Sequence, residues 1–326
     1  MVIILKLGGF MKHSPLLPAA VTGDKKSLSP EARAEINNLA GRRPGKFILQ
    51  LIYAWLVIFI AVGCAVWAQN ILVSIFAIFI IATRQHILFL LIHEQAHCLA
   101  FKSSYGDLFV NFFTAYPLLL MTVEGYAQVH LSHHRYYFTD KDPDILRKIG
   151  DSFTFPMPKR KLAKLFLTDL FGLNVWKMIR GKMAKSDFFM FKRPSKIPRW
   201  VRPAYFISVA IILSVTQTWG VFLLYWVLPL FTILQCIIRW GAVCEHQYIP
   251  NASLAETTPI IMPLWWENLL LPNLNFNMHT YHHLFPGIAY CELPKAHEIF
   301  QPENLIDQSA VFKSYLSYLK FLVRPV

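Results

Sequence analysis

Nine of the twelve histidines in this 326-residue chain stand where their rings can be brought together. His93 and His97 form H-E-Q-A-H, His130, His133 and His134 form H-L-S-H-H, and His279, His282 and His283 form H-T-Y-H-H. His246 stands alone in C-E-H-Q-Y. On a helix, residues three or four apart are neighbours, so each cluster presents two or three imidazoles together. Imidazole is a ligand for iron, zinc, copper and nickel. In H-x-x-H-H, three rings can surround one metal, or two can hold one metal while the third reaches another. Eight or nine such ligands suit two ions that keep open coordination positions, an arrangement fit for activating oxygen.

Other readings use fewer of these residues. H-E-Q-A-H also matches the H-E-x-x-H zinc-protease pattern with Glu94 as general base, but that needs one metal and leaves most of the histidines without a role. His86 precedes His93 by two helical turns inside an apolar run, which suits lining a cavity or bonding a neighbour. His13 and His297 read as ordinary surface residues. Asp140, Asp142, Asp144, Glu245, Glu94 and Glu124 are candidates for orienting ligand rings by hydrogen bonds; each could equally be a solvated charge or a partner for Arg135, Arg147 or Arg239. Five scattered cysteines with no C-x-x-C indicate neither a disulfide frame nor a zinc ribbon.

The elements that must carry these residues are apolar. The chain is 55% hydrophobic with mean hydropathy +0.40, and only 16% of residues are charged against the ~25% usual in soluble domains. Residues 47–68 run without a charge, long enough to cross a ~30 Å hydrocarbon core. Residues 71–92 form a second run, interrupted only by Arg84, Gln85 and His86 and joined to the first through Gln69 and Asn70 alone, which demands a tight hairpin. A second hairpin is expected from 203–217 and 219–238, the third span short and the fourth containing Pro229. With a ~1.5 Å rise per residue, His93 lies about 33 Å along its helix and His246 about 40 Å along its own, both at one membrane surface. Leu108 to Met121 and Pro259 to Leu274 are shorter apolar stretches leading into the other two clusters. They fit the interface, with Trp265 and Trp266 at headgroup level.

Basic residues set the orientation. Residues 1–46 carry eight lysines and arginines and 147–202 carry fifteen, while the hairpin turns carry none. Both termini and the segments 93–202 and 239–326 are therefore expected in the cytosol, with residues 1–45 a polar, mobile tail and 46–326 a single membrane domain. The net charge of +13 fits topology and contact with anionic lipid. No nucleic-acid-binding motif accompanies it. The N-terminal apolar run is too short for a signal peptide, and either Met1 or Met11 could be the start.

The histidine pattern resembles the membrane fatty acid desaturase superfamily, the histidine-box di-iron oxidases. H-H-R-Y followed by D-K-D-P-D at Asp140–Asp144 is similar to the stretch after that family's second box. N-F-N-M-H-T-Y-H-H-L-F-P-G from Asn275 is similar to its last box, and Cys244-Glu245-His246 to its additional histidine. Glu94 stands where many relatives have aspartate, and Tyr281 where many have glutamate. The resemblance implies an all-α, four-span membrane protein with a cytosolic helical cap. It implies two iron ions held by the nine histidines, Asn275 approaching metal through water, and desaturation of a fatty acyl chain using dioxygen. Without a fused cytochrome b5, electrons would come from a separate ferredoxin or cytochrome b5. The same scaffold carries hydroxylases, acetylenases and desaturases of non-lipid compounds, and the basic segment after the second box resembles a bacterial branch that includes the rhizobitoxine desaturase. A metal-binding or transport protein is the alternative of another class; it would need polar residues across the bilayer centre, which the first and fourth spans lack.

Overall fold

The computed structural model describes residues 17–119, 121–148, 150–179 and 193–323; His13 and both candidate starts lie outside them. The described residues form helices and isolated bridges, with no extended strand. In chain order the α-helices are α1 (Pro30–Leu39), α2 (Pro44–Ala68), α3 (Ile71–Ala96), α4 (Ser104–Val110), α5 (Val123–Arg135), α6 (Pro143–Lys148), α7 (Lys159–Leu170), α8 (Leu173–Ile179) and α9 (Val201–Val215). There follow α10 (Trp219–Phe222), α11 (Leu228–Phe231), α12 (Ile233–Glu245), α13 (Leu254–Thr257), α14 (Trp265–Leu270), α15 (His279–Leu284), α16 (Leu293–Phe300) and α17 (Tyr315–Leu322). Helices α10 to α12, with a π-helical turn at Leu223–Val227, run as one apolar rod over Trp219–Glu245.

Three of these units are long and apolar enough to cross a membrane: Pro44–Ala68, Ile71–Ala96 and Trp219–Glu245. Helix α9, at 15 residues, is apolar but shorter. α2 shows why the first pair packs as it does. Its buried residues Phe47, Leu51, Ala54, Ile58 and Ala65 recur at helical spacing and make one stripe against α3. The opposite face leaves Leu49, Leu56, Phe59, Ile60 and Trp67 exposed, as expected where lipid is the solvent. Between the two helices Gln69 takes a left-handed conformation, and the Asn70 side chain caps α3 by accepting from the backbone N–H groups of Leu72 and Val73.

α3 is the axis of the molecule. From Ile81 to Ala96 nearly every residue is buried, because α2, α5, α11 and α12 all pack on it. Two polar side chains inside this packing find backbone partners. Gln85 donates to the Trp226 carbonyl at 2.8 Å, and the His86 ring nitrogen Nδ1 donates to the Pro272 carbonyl at 3.2 Å. The rod 219–245 is interrupted by its π-helical turn, by Pro229 and by the irregular Thr232. α14 leaves Trp265 and Trp266 exposed, consistent with an interfacial position.

From residue 17 onward the N-terminal segment departs from a polar, mobile tail. Ala20, Val21, Leu28, Ala32 and Ile36 are buried, Val21 bridges Ile306, and α1 packs on α16. Ser29 caps α1 with Pro30 at its first position, and Ala32 and Ile36 are one turn apart. These few apolar residues among many polar ones suffice to bury one face.

Candidate metal centre

Each histidine cluster sits at a helix end. His93 is in the last turn of α3 and His97 is its C-cap. α5 starts with Thr122 accepting from the Gly125 N–H and ends with His133, His134 and Arg135. Its start is fixed by Asn111, which accepts from the Val123 N–H and donates to Glu124. α12 stops at Glu245, leaving His246 as an extended C-cap. A short 3-10 turn at Phe276–Met278, entered through left-handed Asn275, leads into α15 with His279, His282 and His283. Thus four chain segments remote in sequence meet.

They meet as two groups. His93, His97, His130 and His282 offer ring nitrogens within 4.8 Å of one another, and His133, His246 and His283 do the same. In the first group His130 Nε2 stands 2.8 Å from His97 Nε2, and His134 Nε2 stands 3.0 Å from both His130 Nε2 and His282 Nε2. In the second, His246 Nε2 is 3.2 Å from both His133 Nε2 and His283 Nε2. His279 lies beside the second group, its ring centroid 4.8 Å from those of His246 and His283. His134 stacks on His283 at 4.2 Å, so the groups adjoin.

Proton bookkeeping separates a metal nest from a hydrogen-bonded cluster. A neutral imidazole has one N–H and one lone pair. His133 Nδ1 donates to the Asp142 carboxylate at 2.8 Å, so its Nε2 carries the lone pair. Asp142 is fully buried and also accepts from the backbone N–H groups of Phe138, Asp144 and Ile145. Burial holds the rings of His130, His134, His246, His279, His282 and His283 well below the usual imidazole range, and that of His97 down to about 3. These rings are neutral ligands at physiological pH. Both nitrogens of His93, and Nδ1 of His279 and His282, are buried without a hydrogen-bond partner. Buried polar atoms without partners are costly. Two nitrogens bound at right angles about 2.1 Å from one ion would lie about 3.0 Å apart, which is the spacing observed. The donor set therefore fits two nitrogen-liganded metal ions.

The remaining candidate residues separate. Asp142 is at a ligand ring, whereas Asp140 is exposed and Asp144 pairs with Lys148 at 3.0 Å. Glu245 is half-buried at the end of α12. The Asn275 side chain donates to the Tyr290 carbonyl at 3.1 Å. Glu124 accepts from Asn111 and Ser195. Glu94 is buried and accepts from the Tyr290 N–H at 3.3 Å, tying α3 to the segment after the last box. A one-metal protease reading does not account for two nests. His297 is not a surface residue: it is buried, and Tyr281 Oη and His297 Nδ1 are hydrogen-bonded at 2.9 Å. Its position was legible, since Leu293, His297 and Phe300 recur on the inward face of α16. Tyr137 and Thr257 are further residues that spacing alone did not single out. Tyr137 stands four residues after His133, and its hydroxyl lies 3.3 Å from His246 Nδ1 and 2.7 Å from Thr257 Oγ1.

Fold and site together define an all-helical membrane protein with a histidine-rich centre at the C-terminal ends of two of its long apolar helices. Residues 66–307, well over half the chain, match the sequence model of the fatty acid desaturase family. The chain belongs to that family. No individual curated protein matches it. Membership makes it an oxidoreductase-type enzyme, with desaturase- or hydroxylase-type oxidation, a fatty acyl substrate class and a membrane setting.

Proposed function

We propose that this protein is a di-iron, oxygen-dependent desaturase that introduces a carbon–carbon double bond into a fatty acyl chain linked to lipid, coenzyme A or a carrier protein. The observation that supports it above all is the pair of adjoining nests of neutral, buried imidazole nitrogens. His93, His97, His130, His134 and His282 would hold one ion, and His133, His246, His279 and His283 the other. Two iron ions would supply the oxidising power for the overall change in which an acyl –CH2–CH2– unit, dioxygen, two electrons and two protons become –CH=CH– and two waters. The residues of the chain do the rest. Asp142 orients His133, α3 walls the centre from water on its membrane side, and Glu94 fixes the end of α3 against Tyr290.

In this reading α9 completes a four-span body, with spans near 47–68, 71–92, 203–217 and 219–238 and a cytosolic cap. Both termini and the active site face the cytosol of a bacterial inner membrane. The basic cytosolic surface would receive a separate acidic donor of ferredoxin or cytochrome b5 type. The experiment is mass-spectrometric profiling of lipids and acyl carriers in cells expressing the wild type or His133→Ala, with iron content measured on both purified chains. Expected is a wild-type-only product two mass units lighter than its precursor, and about two irons per wild-type chain. A product sixteen units heavier would make the protein a hydroxylase. Identical profiles from iron-loaded wild type and His133→Ala would refute the acyl assignment.

A further inference from the structure

His133 and His246 both aim Nε2 at the same point, yet their outer nitrogens meet different partners. Behind His133 is a carboxylate. Behind His246 is a chain of neutral groups, and its direction follows from its last member. The Ser253 carbonyl can only accept, and the Thr257 hydroxyl donates to it at 2.6 Å. With its hydrogen spent there, Thr257 Oγ1 can only accept from the Tyr137 hydroxyl, 2.7 Å away. The Tyr137 oxygen is then left with lone pairs toward His246 Nδ1 at 3.3 Å, so that nitrogen must carry the hydrogen. Any reversal sets two lone pairs face to face, either between the two hydroxyl oxygens or at the Ser253 carbonyl.

The anchor is rigid. Ser253 caps α13 in a reciprocal capping box with Glu256, and Thr257 is fully buried. The Thr257 carbonyl accepts from the Gln247 N–H at 2.7 Å, holding the loop beside His246. Tyr137 also packs against His133 and His283, with ring centroids 5.3 and 4.9 Å away.

We propose that Tyr137 and Thr257 are positioning residues of the second nest: a one-way hydrogen-bond relay from His246 to the Ser253 carbonyl that locks the ring in the tautomer whose Nε2 faces the metal. The inference rests on the metal-centre reading above and goes beyond it by assigning the relay to one of two positions. Among the described residues, both ring nitrogens of His93 and the Nδ1 of His282 in the first nest lack partners, as does the Nδ1 of His279 in the second, so the relay braces His246 in particular. The two positions should therefore respond separately to loss of the relay.

The test uses the full-length chain in detergent, stripped of metal and titrated with Co2+ while nitrogen-ligand absorption bands are followed. Wild type should take up two ions. Tyr137→Phe and Thr257→Val should each weaken one of the two by about 10- to 100-fold and shift its bands, leaving the other unchanged. Thr257→Ser keeps the hydroxyl and should restore the wild-type titration. Thr257→Val alters the relay without touching the packed Tyr137 ring, and so stands if Tyr137→Phe folds poorly. Equal weakening of both positions, or wild-type behaviour in both variants, would overturn the relay while leaving the two-metal reading intact. Failure of the wild type itself to bind two ions would sink that reading, and the relay with it.

Discussion

Asp142→Asn changes one atom, and the structure says what that atom does. The fully buried carboxylate accepts four N–H groups: His133 Nδ1, Phe138 N and Asp144 N at 2.8 Å, and Ile145 N at 3.4 Å. An asparagine has one accepting oxygen, so its NH2 must face one of the two donor pairs whichever way it turns. It should turn NH2 toward Asp144 and Ile145, whose longer bond is the weaker loss. Two backbone N–H groups then lose their acceptor, at roughly 1–3 kcal/mol each, or about 2–6 kcal/mol in all. That is a large share of a typical folding free energy of about 5–15 kcal/mol. The His133 ring keeps its hydrogen bond but loses the negative charge behind it, so under the proposed di-iron reading affinity for the metal it would hold should fall about 10- to 100-fold. The assay is thermal unfolding of the metal-free and metal-loaded chain, with metal content per chain after dialysis. The variant should unfold at lower temperature in both forms and retain one metal preferentially. If Asp142→Asn unfolds like wild type and holds both metals as tightly, the carboxylate is not the hinge of this region and the reasoning fails.

Three further outcomes follow from the same structure. Because burial depresses the ring of His97 to about 3, and those of His130, His246, His279, His282 and His283 well below the usual range, the unfolded chain binds more protons than the folded one below about pH 6.5. Stability of the metal-free protein should hold above that pH and be lost progressively as pH falls toward 3; a flat unfolding temperature between pH 7.5 and 4.5 would contradict it. Arg239 is buried, forked onto Asp169 and set over the Phe153 ring, so Arg239→Met should cost about 3–5 kcal/mol by stranding the carboxylate. Adding Asp169→Leu should recover much of that loss in the same unfolding assay, and no recovery would place the cost in the ring contact instead. Gly172, at φ +67, would bring a Cβ to 2.9 Å from the Phe231 carbonyl oxygen. Gly172→Ala should therefore lower the unfolding temperature beyond the roughly 1 kcal/mol of left-handed strain, and a neutral result would mean that α8 shifts freely against α11.

The sequence by itself determined the local features. Long apolar runs, the first without a charge and the second broken only at Arg84, Gln85 and His86, specify α2 and α3, and two residues between them allow only a tight turn. The spacing of H-E-Q-A-H, H-L-S-H-H and H-T-Y-H-H places the rings together at helix ends, as at the ends of α3, α5 and α15. Such features depend on residues within a turn or two of each other, whose geometry the backbone fixes. Less legible was the N-terminal segment, because Ala20, Val21 and Ile36 gain their burial only from partners such as α16, near the other end of the chain.

Only the tertiary structure decided how the histidines divide. Neighbouring residues on a helix point about 100° apart. His133 therefore turns to His246 and His283, while His134 turns to His130 and His282. In the same way His282 and His283, adjacent in the chain, join different nests. Spacing left it open whether three rings of one box share a metal. Which rings gather depends on the remote helix each one meets, and so do the partners of the outer nitrogens: Asp142 behind His133, and Tyr137 with Thr257 behind His246. Those contacts join residues up to more than a hundred positions apart, which no local periodicity encodes.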